Sequence, residues 1–287
     1  MAMIRRLASI AALLLLAACG AEPQGPQPSP AMWEVTDKDG HTGWLFGTVH
    51  ALPDGTAWRT PLLADVLDKS NLLVVEVSDL GATNLAQQAF VALAASANQP
   101  PILSRVPAGD RDALAAAIDR AGMKESDFTN TETWAAALQI ANARRTGQVE
   151  NGVDVALLAT GKRVYPLESF AQQFAMFDHL AEADQRVLLA ETAKDESNPD
   201  EEQQMVDAWV RGDTRTLRRE IDTGFLTDPE LREALLVSRN EDWTDQIAMI
   251  FDKGRSPLIA VGTAHLLGPE GLPALLEKRG FTVKRIQ

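Results

Sequence analysis

Apolar residues along this chain form a few short unbroken runs near its two ends, and between them polar and apolar positions alternate with helical spacing. Trp33 to Thr36 and Gly43 to Gly47 read as two strands around a polar turn at Asp37-Lys38-Asp39-Gly40-His41. Trp58 to Lys69 places Leu62, Leu63, Val66 and Leu67 at helical intervals, and Leu72 to Val77 is a buried strand with Glu76 embedded in it, followed by a turn or helix start at Ser78-Asp79. Helical pattern then dominates from Thr83 to Lys253. Its segments are Thr83–Ala97, Asp110–Ala121, Thr131–Arg145, acidic helices over Ala181–Arg219 around a charged loop at Lys194–Glu202, and Leu231–Phe251. One strand, Arg163–Leu167, interrupts them, and Pro166 assigns it to an edge or a strand end. Strand Leu258–Val261, helix Pro269–Lys278, Gly280 and strand Phe281–Ile286 close the chain in a normal αβ connection. The expected fold is α/β, a central sheet flanked by helices with a helical middle inserted.

Two of the strand-like runs end in the same phrase. Leu45-Phe46-Gly47-Thr48-Val49-His50 is echoed by Ala260-Val261-Gly262-Thr263-Ala264-His265, 215 residues later, and Pro53-Asp54-Gly55 by Pro269-Glu270-Gly271. The sheet is therefore expected to consist of two related halves, each ending a strand in Gly-Thr-x-His. Two equivalent strand ends on one sheet edge would bring two of the chain's four histidines together.

The N-terminus changes the boundaries. Arg5 and Arg6 precede an apolar stretch from Leu7 to Ala18, too short to span a bilayer and laid out like a secretory signal. Leu16-Ala17-Ala18-Cys19-Gly20 resembles the lipobox of bacterial lipoproteins, which makes Cys19 the lipidated first residue of the mature protein. Residues 1–18 are then a signal peptide, 19–32 the lipidated cysteine and a flexible Pro/Gln/Gly/Ser tether, and 33–287 a single domain. Gly20 after the cysteine points to an outer-membrane anchor facing the periplasm. Cys19 is the only cysteine, so the domain holds itself together without disulfides. The chain carries 27 basic and 40 acidic residues, a net −13 that becomes −15 once the leader and its two arginines are gone. This excludes nucleic acid as a partner and leaves the lipid as the means of membrane association.

The chemistry-bearing residues follow from this layout. Neutral imidazoles at His50 and His265 suit Zn²⁺, Mn²⁺ or Co²⁺, with carboxylates completing the shell. Gly47 and Gly262 leave room for a ligand at the strand ends, and Thr48 and Thr263 can orient neighbours. Such an ion would activate water and polarise a carbonyl, with Glu76, Asp154 or Glu168 as ligand or general base. Structural alternatives stand beside each. The histidines can be buried and satisfied by carbonyls, and Glu76 can pair with Arg239 or Arg145. Asp154 and Glu168 can cap helices, Asp154 being read first as a cap. Arg239 can join an ion pair or bind a substrate carboxylate. His41 and His179 read as solvated, and Trp134, Trp209 and Trp243 as core.

Trp44-Leu45-Phe46-Gly47-Thr48-Val49-His50, Gly152-Val153-Asp154, Leu167-Glu168, Arg239-Asn240 and Val261-Gly262-Thr263-Ala264-His265-Leu266-Leu267-Gly268 occur in that order. Together they resemble the TraB/GumN family, in the wider group that includes the Tiki metalloproteases, from Trp33 onward. The resemblance implies an α/β fold with both Gly-x-x-His motifs at one site. For the Tiki branch it also implies divalent-metal-dependent peptide hydrolysis, with His50 and His265 as the paired histidines and Glu76 as the early acidic position. The leading expectation is a lipid-anchored metallohydrolase of the cell envelope acting on peptide or protein substrates. Its metal would be held by His50, His265 and Glu76, with Glu76 or Glu168 catalytic and Arg239 on the substrate. The alternatives are a non-catalytic metal- or peptide-binding protein and, from the GumN name, a regulatory partner in polysaccharide export.

Overall fold

The computed structural model describes residues 27–78, 83–145, 147–194 and 199–287. The signal segment, Cys19, the first part of the tether, Asp79 and part of the 194–202 loop lie outside the described residues. Six strands form one sheet in the order β4-β3-β5-β2-β1-β6. They are β1 (Met32–Thr36), β2 (Thr42–Thr48), β3 (Leu72–Val75), β4 (Val164–Pro166), β5 (Pro257–Gly262) and β6 (Thr282–Arg285). β4, β3, β5 and β2 run parallel, while β1 is antiparallel to both β2 and β6. β4 is an edge strand that ends at Pro166, where the missing N–H costs no ladder bond.

The helices of the described residues begin with α1 (Pro61–Lys69), between β2 and β3. Then come α2 (Thr83–Ala94), α3 (Arg111–Arg120), α4 (Thr133–Arg144) and α5 (Val153–Leu158) before β4. After β4 follow α6 (Phe170–Asp178), α7 (Glu182–Lys194), α8 (Pro199–Val210), α9 (Thr214–Ile221), α10 (Pro229–Arg232) and α11 (Ser238–Asp252). α12 (Leu272–Lys278) connects β5 to β6. Each expected segment corresponds to one or more of these with ends shifted by a few residues, except that a π-helical turn, Glu233–Val237, splits the expected Leu231–Phe251 helix. No helix among the described residues is long and apolar enough to cross a membrane.

The sheet is buried on both faces, which is why its strands read as unbroken apolar runs rather than alternating ones. Trp44, Phe46, Leu73, Val75, Leu258 and Ala260 pack on one side with Val153, Leu157 and Trp209. The residues between them, Leu45, Leu72, Val74, Ile259 and Val261, pack on the other side against Trp243, Ile247, Ile250 and Phe251 of α11. A third core is purely helical, centred on Trp134, Phe128 and Leu189, and α4 and α7 form its main contact.

β2 and β5 are adjacent, but their register pairs Gly47 with Val261 and Thr48 with Gly262. The two Gly-Thr-x-His phrases are thus offset by one residue and are not equivalent in the sheet. Thr263 crosses over to donate its hydroxyl to the Thr48 carbonyl at 2.9 Å. Gly47 must be glycine here, because a Cβ would come within 2.8 Å of the Thr263 hydroxyl. On the other side the buried Trp209 indole donates to the Gly47 carbonyl at 3.0 Å, fixing the end of β2. Trp209→Phe strands that carbonyl and is expected to lower unfolding free energy by about 1–3 kcal/mol, read from urea denaturation.

Candidate functional site

Four side chains converge beyond the carboxyl ends of the parallel strands, where α/β sheets bind their ligands. His50 follows β2, Glu76 follows β3, Glu168 follows β4, and His265 sits in the 3₁₀ turn Thr263–Leu266 after β5. Gly262 is the floor under three of them, Glu76, His50 and His265. A Cβ on it would lie 3.0 Å from Glu76 Oε1, 3.6 Å from His50 Nε2 and 3.8 Å from His265 Cδ2. The Gly262 N–H donates to Glu76 Oε1 at 2.7 Å.

Arg239, on α11, reaches into the centre of this group. Its Nη2 donates to Glu76 Oε2 at 2.9 Å, and its Nε to Glu168 Oε1 at 2.9 Å. Nη1 donates to the Leu235 carbonyl within the π turn and to His265 Nε2, both at 3.1 Å. The guanidinium lies 4.6 Å from the centre of the Trp243 ring. Every nitrogen is engaged, so the expected substrate-carboxylate role finds no spare donor on Arg239. Of the two open readings, the ion pair is the one present, and Glu76 pairs with Arg239 rather than Arg145.

The two histidines, similar in sequence, differ in state. His265 is buried, and its Nδ1 lies 2.6 Å from Asn240 Oδ1. The Asn240 amide donates its own N–H to the Glu270 carbonyl at 2.7 Å, so Oδ1 must accept and His265 carries its proton on Nδ1. Nε2 is then the acceptor that Arg239 requires. Burial, with the charges of Arg239 and His50, depresses its pKa to about 3, and the ring is neutral at physiological pH. His50 opens into a groove with 62% of its side chain exposed, and its Nδ1 lies 2.8 Å from Asp154 Oδ2. Burial opposes its charge, but the hydrogen bond and charge of Asp154, with the charge of Glu76, raise its pKa to about 9.

The carboxylates diverge too. Burial would raise Glu76, but the two imidazoles, Arg239 and the Gly262 N–H outweigh it and hold it at about 2. Burial pushes Glu168 up against the pull of Arg239. The reading of Asp154 as a cap is corrected. Gly152 is the N-cap of α5, and Asp154, at the second helical position, turns to His50. Gly152-Val153-Asp154 makes this possible: a Cβ on Gly152 would lie 2.4 Å from the His50 carbonyl, and the Val153 N–H donates to the Val49 carbonyl.

The expected divalent ion on His50, His265 and Glu76 does not fit this donor set. His265 Nε2 and both Glu76 oxygens already accept hydrogen bonds, and a guanidinium lies against two of those three atoms. At an effective dielectric of about 20, unit charges 4 Å apart repel by about 4 kcal/mol, and a dication doubles this. Among the described residues no cluster of three or more His, Cys, Asp or Glu is disposed to hold a metal. His41 bonds Asp37 in its turn, and exposed His179, the C-cap of α6, borders a cavity that Glu168 and Arg239 also line. Asn240 and Gln173, which lies 3.4 Å from Glu76 Oε2, belong to the site but carry no local sequence signal beyond the Arg-Asn pair.

The family model for TraB/PrgY/gumN matches residues 31–285. The chain belongs to the TraB/PrgY/gumN family. No curated protein and no solved structure matched it. In this TraB/PrgY/gumN protein the match begins at the residue before β1 and ends with β6, so it includes every residue of the Arg239 cluster.

Arg239→Met leaves Glu76 and Glu168 buried without a cation and is expected to destabilise the protein by about 3–5 kcal/mol at pH 7. The folded pKa of Glu76 is depressed, so its contribution is present above the usual carboxylate range and lost as pH falls towards about 2. Wild type and variant should therefore converge in stability in acid. An equal loss at pH 3 and pH 7 in denaturant titrations would show that Arg239 acts through packing alone.

Proposed function

We propose that this protein is a cell-envelope hydrolase of peptide substrates in which His50 is the proton-transfer group. The observation that carries the reading is the His50–Asp154 pair, open to solvent on one side and set beside ionised Glu76 over the glycine floor. A cavity of about 130 Å³, lined by His50, Glu76, Val77, Asp154, Phe170 and Gln173, accommodates the reacting carbonyl and a water.

At neutral pH His50 is an imidazolium held in orientation by Asp154, and Glu76 is a carboxylate. Water ordered beside the Glu76 carboxylate attacks the carbonyl carbon and passes its proton to solvent on the open side of the site, while His50 Nε2–H stabilises the developing oxyanion and then protonates the leaving amine. A proton from solvent returns to His50 and resets the site. The net change is water plus amide to acid plus amine, and neutral His265 keeps Arg239 and Glu76 in place throughout. The basic leader, apolar run and Leu-Ala-Ala-Cys sequence favour an envelope protein anchored through lipid on Cys19, with the tether presenting the site to the periplasm.

With a substrate in hand, kcat should be flat through neutral pH and fall as pH rises through about 9, where His50 loses its proton. Asp154→Asn should bring that fall down towards the ordinary histidine range, and His50→Gln should cost about 10²–10⁴ in rate at neutral pH, a gap that narrows as wild type loses the His50 proton. A rate that instead climbs through pH 9 would reverse the role assigned to His50. Protein purified without chelator should hold less than stoichiometric metal. One ion per chain, lost in His50→Gln, would restore the metal-ligand reading.

Cys19→Ser should move the protein from the membrane pellet to the soluble or unprocessed fraction, since stable anchoring needs two or more acyl chains. Wild-type protein found wholly in the soluble periplasmic fraction would sink the anchor.

A further inference from the structure

His50 lines a second and much larger cavity, a groove of about 790 Å³ that runs away from the site between α4 and α6. Its floor is aromatic and already packed. Phe90 and Phe174 meet at 5.3 Å between ring centres, and both rest on buried Trp134, at 5.5 and 6.1 Å. Leu138 completes the apolar surface, and Ala141 forms an exposed rim one turn further along α4. Exposed Arg145, the C-cap of α4, also borders the groove. Arg144 and the acidic Glu202 line the groove too, and of these charged groups Arg145 is the exposed cation at the end of α4.

The same helix ties the groove to the site. α6 supplies Phe170 and Gln173 to the small cavity, and Phe174, one turn on from Phe170, to the groove. Phe170 and Phe174 are stacked at 6.4 Å. A chain that carries the reacting bond past His50 would continue over this apolar surface towards Arg145. Pockets of this size, apolar with a few polar groups, suit a ligand segment rather than a single water or ion.

We infer that the groove is a specificity subsite for a peptide segment, taking a large apolar side chain next to the bond at His50 and a carboxylate of the peptide at Arg145. This deepens the hydrolase reading and depends on it for the position of the bond. The preformed aromatic floor keeps the entropic cost of seating a Phe or Leu side chain low. A glycine in that place leaves the groove to water. Because the groove is built on helix surfaces and not on the sheet, it can be altered without touching Arg239 or its partners.

The test compares fluorogenic peptides with Phe or Gly beside the scissile bond, each ending in a carboxylate or an amide. Full-length protein should show kcat/KM about 10–200-fold higher for Phe than for Gly. Ala141→Trp, at an exposed rim position, should fill the groove and bring that ratio close to one. Arg145→Glu should raise KM for the carboxylate peptide and not for the amide. Equal rates for Phe and Gly peptides in the wild type, or a Phe preference that survives Ala141→Trp, would overturn the subsite.

A binding arm separates this from the hydrolase reading. His50→Gln protein should bind a fluorescein-labelled Phe peptide by anisotropy and lose it on adding Ala141→Trp. If wild type cleaves neither peptide but this binding is seen, the groove stands and the hydrolysis falls. Turnover without preference removes the groove alone, and neither turnover nor binding removes both.

Discussion

The Arg239 guanidinium is the constraint on which the rest of the site depends. It is one cation serving two largely buried carboxylates, a histidine lone pair and a backbone carbonyl, with a tryptophan face beside it. Burial of Glu76 and Glu168 is tolerable only because that charge is present. Its position comes from α11, and the π turn just before it contributes the Leu235 carbonyl that takes one of its protons. Local departures of this kind recur at functional sites.

From that constraint follows the division of labour between the histidines. His265 must be neutral and present a lone pair, and Asn240 enforces this by accepting its only ring proton. His50 is free of the cluster, backed by an anion and open to the groove, so it is the group able to exchange a proton with a ligand. One imidazole is locked into the cluster and the other faces the groove.

The layering explains why chemistry and ligand surface come from different parts of the chain. Parallel strands buried on both faces can offer polar groups only at their ends, and His50, Glu76, Glu168 and His265 sit there. The helical middle adds what the strand ends cannot, an apolar channel with aromatic walls leading to His50. α5 and α6 join the two, the first bringing Asp154 to His50 and the second lining both cavities.

Much of this architecture was written locally. The apolar runs at Leu72–Val75 and Pro257–Gly262, Pro166 at a strand end and the helical spacing elsewhere foretold an α/β sheet with a helical middle, because burial and backbone preference act over a few residues. The repeated Gly-Thr-x-His and the embedded Glu76 likewise marked the strand ends where the site lies. The repeat also suggested two equivalent ligands, and here only tertiary packing decided. β2 and β5 are offset by one residue, and folding buries His265 in the turn after β5 while His50 lies open to a groove. Asp154 read as a cap because its partner lies 104 residues away, and Arg239 stayed open between an ion pair and a substrate contact because nothing nearby in sequence shows that its donors are taken. Element identity follows from neighbours along the chain, whereas protonation state and hydrogen-bond partners depend on charges brought together by folding.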